Sequence, residues 1–232
     1  MITILDIFGT FAFAISGAFR AVKHELDLLG VLVLSVATGV GGGIVRDTLL
    51  GSTPPVAFQD ETYLLICFLG GLLVFIGSRK IAPRWDCVMA ADAIGLGVFA
   101  AIGAAKATAC GLGTVSIIIM AAITAAGGGV IRDMLVREIP AILKSDFYAS
   151  AALIGGACFV ITGMLGLSEG MRLFCAMTVT IILRILDMKY GIALPRVKSL
   201  PASPSQLAKE RKAKAITSKM NIEPDKIIKN DK

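Results

Sequence analysis

The sequence predicts an all-α membrane protein with seven transmembrane helices, built as two inverted three-helix repeats plus a seventh helix. Three observations carry this. The chain is 56% hydrophobic and 17% charged over 232 residues, with a mean hydropathy of +0.80, too apolar for a soluble domain of that size. It contains seven apolar runs, each close to the ~20 residues that cross a hydrocarbon layer. One heptapeptide, Gly41-Gly42-Gly43-Ile44-Val45-Arg46-Asp47, returns as Gly127-Gly128-Gly129-Val130-Ile131-Arg132-Asp133, displaced by 133 − 47 = 86 residues.

The runs lie at roughly 4–22, 28–53, 62–78, 86–106, 112–139, 147–167 and 170–188. The first lacks the basic leader of a cleavable signal and is expected to remain as a span. Short turn segments separate the runs, such as Gly51-Ser52-Thr53-Pro54-Pro55 and Ser78-Arg79-Lys80. Basic residues favour cytoplasmic loops. Arg20 and Lys23 follow the first span, Arg79, Lys80 and Arg84 the third, and Arg137 and Lys144 the fifth. The alternate loops hold only Lys106 and, at the edge of the seventh span, Arg172. The N-terminus is therefore expected outside and the C-terminus in the cytoplasm.

The net charge of +6 belongs to the end of the chain. From Lys189 onward there are 11 Lys/Arg and 4 Asp/Glu, or +7, which leaves −1 for the other 188 residues. Residues 190–232 read as a basic, disordered cytoplasmic tail, with a patch for anionic membrane lipids as the sharper alternative. No nucleic-acid partner and no cofactor are expected.

The duplication extends past the glycine motif. Asp6, Gly9, Phe13, Ala14, Gly17 and Ala18 return as Asp92, Gly95, Phe99, Ala100, Gly103 and Ala104, all at an offset of 86. Pro55, Tyr63, Gly70 and Gly71 return as Pro140, Tyr148, Gly155 and Gly156 at an offset of 85. Residues 4–78 and 86–167 thus form two copies of one three-helix unit, and 170–188 a seventh helix outside them. Three is an odd number of crossings, so the second copy enters from the opposite side.

Taken from Leu28 to Pro54 and from Thr114 to Pro140, spans two and five place their glycine triplets at mid-helix. Helices of that length would reach about 39 Å, longer than the ~30 Å hydrocarbon layer, and would have to tilt or bend. Glycine costs a helix up to ~1 kcal/mol relative to alanine and lets backbones approach closely. The triplets therefore read either as functional kinks or as plain helix–helix contacts. Gly9, Gly17, Gly70, Gly71, Gly95 and Gly103 read as contacts.

Arg46 and Arg132 fall about 7 Å beyond the helix midpoints, one in the outer half and one in the inner. Side chains lean toward the helix N-terminus, so Arg46 is expected over Gly42 and Asp47 over Gly43. Charges facing lipid are costly, which turns both pairs inward, either to line a route or to lock the fold as salt bridges. Asp6 and Asp92 share the depth of the arginine in their own copy, so contacts Asp6–Arg46 and Asp92–Arg132 are expected.

Enzyme chemistry is not expected. His24, the one histidine, lies in a polar loop and reads as solvated. Cys67, Cys87, Cys110, Cys158 and Cys175 are scattered without a CxxC pair and read as packing residues, and no metal-ligand cluster or nucleophile–base pair is present.

These residues resemble the bacterial branch of the trimeric intracellular cation (TRIC) channel family, whose domain is also labelled a glycine transporter. The resemblance covers about residues 1–190, and the doubled GGG[IV][IV]RD motif is its specific part. It implies a homotrimer in a cell inner membrane with a pore within each subunit, lined by kinked spans two and five, conducting potassium and also sodium. Carried onto this chain, Gly41, Gly42, Gly43, Gly127, Gly128 and Gly129 would form the pore kinks. Arg46, Asp47, Arg132, Asp133, Asp6 and Asp92 would be pore charges or a gate. Carbonyls freed at the bends would receive potassium transiently. Unpaired arginines repel cations, so the aspartates must neutralise them. The alternative is a secondary transporter of a small zwitterion such as glycine, which inverted repeats with broken helices also suit.

Overall fold

The computed structural model describes residues 1–81, 85–144 and 147–191, with side chains at 78–81, 85–88 and 144 left aside. The expected tail at 190–232 therefore lies almost wholly outside the described residues, as does the side chain of Cys87. Among the described residues every regular element is a helix. They are α1 (Ile2–Lys23), α2 (Leu28–Leu49), α3 (Val56–Gln59), α4 (Thr62–Ile81), α5 (Trp85–Ala109), α6 (Thr114–Leu135), α7 (Ala141–Lys144), α8 (Tyr148–Met164) and α9 (Glu169–Tyr190).

Four stretches are long and apolar enough to cross a membrane: α1, α2, α6 and residues Met89–Ala109 of α5. Helices α4 and α8 supply shorter apolar stretches, Thr62–Gly77 and Tyr148–Met164. Helix α9 is 22 residues long but carries Glu169, Arg172, Arg184, Asp187 and Lys189. The chain is a multi-pass membrane protein on this evidence.

Helices α1, α2 and α4 pack on one another, and so do α5, α6 and α8. The two groups meet through α1 against α5 and α2 against α6, while α9 lies on α5 and α8. The interior is built from small residues. Ala100, Ala104, Ala121, Ala125, Ala151 and Ala176 are buried, whereas Leu65, Ile76, Met134, Ile161 and Phe174 face outward. Hydrocarbon covers large apolar side chains at no cost, so close backbone approach through small residues is what drives helices together.

The two triplets do not break their helices. Residues 28–49 and 114–135 are helical throughout, so the triplets lie inside continuous helices. The physical reason lies in the solvent. A backbone hydrogen bond given up in hydrocarbon has no water to replace it, and here the glycines serve contact instead. A Cβ on Gly42 would overlap the Thr124 carbonyl oxygen, and one on Gly128 would overlap the Thr38 carbonyl oxygen. Gly127 would bring its Cβ to 3.1 Å from the Gly42 Cα. The triplets are the point where α2 and α6 cross at backbone distance.

The helices also stop earlier than the sequence suggests. After α2, Gly51 adopts φ +72°, and after α6, Arg137 adopts φ +58°. These left-handed residues turn the chain before either proline is reached. Ser52 N donates to the Asp47 carbonyl at 2.8 Å, and Glu138 N to the Asp133 carbonyl at 2.9 Å. Each helix is 22 residues, or about 33 Å, close to the ~30 Å thickness of the layer.

Candidate functional site

Two clusters of buried charge lie on opposite sides of the α2–α6 crossing. The first surrounds Arg46, which is 1% exposed. Its Nε donates to Asp47 Oδ1 at 2.8 Å, and its Nη2 lies 3.7 Å from Asp6 Oδ2. Asp47 also accepts from the Val56 amide at 3.1 Å, the start of α3, and pairs with Lys106 Nζ at 3.3 Å. The Arg46 guanidinium rests above Gly43, with Nη2 3.5 Å from where a Cβ would stand. This corrects the expected register. Arg46 covers Gly43 rather than Gly42, while Asp47 reaches forward to the amide of α3. Arg46 Nη1 is buried without a protein partner.

The second cluster surrounds Arg132, 3% exposed. Its Nε donates to Asp133 Oδ1 at 2.8 Å. Its Nη1 donates to Asp92 Oδ1 at 2.6 Å and to Ser16 Oγ at 2.7 Å, and Ser16 in turn donates to Asp92 at 3.1 Å. Asp133 accepts from the Ala141 amide at 2.8 Å, the start of α7, and lies 3.8 Å from Arg20 Nη2. Arg20 also donates to Glu138 Oε2 at 2.8 Å, and His24 Nε2 meets the other Glu138 oxygen at 2.8 Å. Burial pushes the Glu138 carboxyl up, but the His24 hydrogen bond and the charges of Arg20, His24 and Lys23 outweigh it and hold it below the usual glutamate range. His24, expected to be merely solvated, is hydrogen-bonded to Glu138.

Each arginine borders a cavity. One of about 110 Å³ is lined by Ser16, Arg20, Met89, Asp92, Arg132 and Arg184. The other, of about 10 Å³ and the size of a single water, is lined by Asp6, Thr10, Gly43, Arg46, Asp47 and Tyr63 among others. Gly42 and Gly128 line neither. Between them the crossing is closed, and Phe13 and Phe99 stack beside it with ring centroids 5.2 Å apart.

All twelve candidate residues thus fall around the crossing. Sequence reasoning missed several others that the fold adds. Arg20 and Lys106 were read only as topology signals, yet each reaches the aspartate that follows the opposite helix's arginine. They stand 86 residues apart, a signal the repeat offered. Arg184 and Asp187 form a buried pair one turn apart on α9, with the Arg184 guanidinium 4.8 Å from the Tyr148 ring centroid. Among the described residues, no cluster of three or more metal-ligating side chains is present.

Comparison with known proteins agrees with this arrangement. A family model described as "Glycine transporter" matches residues 3–79 and 89–164. The UPF0126 inner membrane protein YadS of Escherichia coli K12 is 39% identical over 196 residues, covering 82% of this chain and 93% of that protein. A structure solved for conductance through TRIC cation channels superposes with a TM-score of 0.80 at 44% identity, covering 86% of this chain and 98% of that one. The trimeric intracellular cation channel orthologue from Rhodobacter sphaeroides gives 0.79 at 34% identity, covering 82% and 98%. These solved neighbours are ion channels, not enzymes. With two-thirds of its length matched by the family model in two successive blocks and its fold shared with those channels, the chain belongs to the bacterial TRIC channel family.

Proposed function

We propose that the protein is a channel for monovalent cations, potassium and also sodium, with one pore inside each subunit of a homotrimer. The route runs between α2 and α6, from the Arg46 cavity to the Arg132 cavity, and is shut at the Gly42–Gly128 crossing beside Phe13 and Phe99. The pairing of a buried arginine and a cavity on each side of one helix crossing carries this reading. Arginines alone would repel cations. Here Asp6 and Asp47 offset Arg46, and Asp92 and Asp133 offset Arg132, within 4 Å in every case. With Lys106 beside Asp47 and Arg20 beside Asp133, the two carboxylates of each cluster balance its cations, so neither arginine stands as an unneutralised barrier to a cation.

On this reading residues 4–78 and 86–167 are two inverted three-helix repeats, 170–188 is the seventh spanning helix, and 190–232 a cytoplasmic tail. The reciprocal contacts support it: Gly42 with Thr124 and Gly128 with Thr38, Lys106 with Asp47 and Arg20 with Asp133. The distribution of Lys and Arg places the N-terminus outside, and the inner-membrane relative supports a bacterial inner membrane. A second reading, a carrier for a zwitterion such as glycine, draws on the family description and on a cavity holding both Arg132 and Asp92. Purified protein in a planar bilayer separates the two. Unitary current steps in potassium chloride support the channel, whereas saturable glycine uptake without steps replaces it with the carrier.

A further inference from the structure

The two charge clusters hold the same residue types in two different arrangements. Around Arg46, Tyr63 and Asp6 line the same small cavity as the guanidinium. Arg46 is held off from Asp6 at 3.7 Å, and its guanidinium occupies the space above Gly43. Around Arg132, the guanidinium has closed on Asp92 at 2.6 Å, assisted by Ser16. Above the equivalent Gly129 the Tyr148 hydroxyl comes first, 2.8 Å from where a Cβ would stand, with Arg132 Nη2 behind it at 3.7 Å. That hydroxyl is buried and has no hydrogen-bond partner, in a side chain only 1% exposed. An orphaned buried hydroxyl is costly, so its persistence calls for a state in which it is satisfied.

The matching tyrosine names that state. Tyr63 and Tyr148 open the third helix of their respective copies, 85 residues apart, and Asp6 and Asp92 lie in the first, 86 apart. Ser16 has no hydroxyl counterpart, since position 102 is Ile102. Only the inner cluster therefore has a second donor that can displace its tyrosine from the aspartate. Arg184 over the Tyr148 ring braces the aromatic plane without using its hydroxyl.

We propose that Tyr148 is the positioning residue of a switch at the inner cavity: its hydroxyl takes over Asp92 when Arg132 and Ser16 release it, reproducing the arrangement of Tyr63, Asp6 and Arg46. In the present arrangement Arg132 bridges α6 to α5 and α1 through Asp92 and Ser16. Transfer of Asp92 to Tyr148 links α5 to α8 instead and frees α6 to move at the crossing. The electrical consequence rests on the channel reading, whereas the exchange itself rests on packing alone.

The test uses the full chain. In planar bilayers with potassium chloride, Tyr148→Phe lowers open probability about tenfold while unitary current stays as in wild type, because one charge-assisted hydrogen bond is lost from the open arrangement only. In detergent, Tyr148→Phe does not lower the melting temperature, since the closed arrangement leaves the hydroxyl unbonded. Ser16→Ala removes the competing donor and shifts Asp92 toward Tyr148. In that background Tyr148→Phe does lower the melting temperature. Wild-type open probability in Tyr148→Phe overturns the proposal, and so do additive thermal effects of the two substitutions. A wild type that carries no unitary current removes the channel reading instead, and the thermal cycle still decides the role of Tyr148.

Discussion

A methyl group added at Gly128 has nowhere to go. Its Cβ would overlap the Thr38 carbonyl oxygen, a backbone atom inside α2 that cannot rotate away, and a methyl at Gly42 would meet the Thr124 carbonyl in the same way. At Gly43, one residue on, the nearest neighbour is the tip of Arg46 at 3.5 Å, an ordinary contact. The three substitutions gain the same helix propensity, up to ~1 kcal/mol each. Overpacking at a rigid contact costs about 1–3 kcal/mol, and forcing the two helices apart adds loss of the contacts along the seam. Gly128→Ala and Gly42→Ala are therefore expected to melt several degrees below wild type, with about 2–4 °C per kcal/mol in a chain of this size. Gly43→Ala is expected at or above wild type. Thermal unfolding in one detergent, read by intrinsic fluorescence and by aggregation, gives the comparison. Equal melting temperatures for Gly42→Ala and Gly43→Ala would refute the assignment of the triplet to a backbone crossing.

Phe13→Ala removes one ring of the stack beside the crossing, at about 3–5 kcal/mol of stability, and is expected to raise resting current in bilayers; unchanged resting current moves the seal elsewhere. Asp133→Asn leaves Arg132 and Arg20 under-compensated, so unitary potassium conductance is expected to fall, together with stability by about 3–5 kcal/mol. Unaltered conductance and reversal potential would reduce Asp133 to a structural bridge. Glu138, whose carboxyl titrates below the ordinary range, contributes stability that is complete above the unfolded glutamate value of 4.5 and is lost as pH falls through its lowered value. Melting curves from neutral pH to about pH 3 should show this loss in wild type and a shallower one in Glu138→Gln; identical slopes would sever the Glu138 contacts from stability.

Much of the site was legible because burial of charge in a membrane leaves few options. Asp6, Arg46, Asp92 and Arg132 could be paired by depth and repeat position alone, and they lie 3.7 and 2.6 Å apart in their pairs. The glycine triplets were legible as special but not as to kind. Sequence shows where a helix is weak, and whether it breaks or packs depends on the neighbour that arrives, here the carbonyls of Thr38 and Thr124. Arg20 and Lys106 sit at helix ends, where a basic residue already has an explanation in topology, and that explanation hid their reach to Asp133 and Asp47. Arg184 and Asp187 lie outside the duplicated portion, so no second copy drew attention to them.

The buried pair on α9 bears on how the chain is made. Arg184 and Asp187 sit on one face of a helix synthesised after all the others described, and hydrocarbon alone would reject both. Their mutual neutralisation and the ring of Tyr148 make these charges tolerable once α9 lies on α5 and α8. Insertion of this last segment is thereby tied to assembly of the earlier bundle. On the seven-span reading proposed above, a chain in which α5 and α8 are not yet seated is expected to leave α9 out of the hydrocarbon layer.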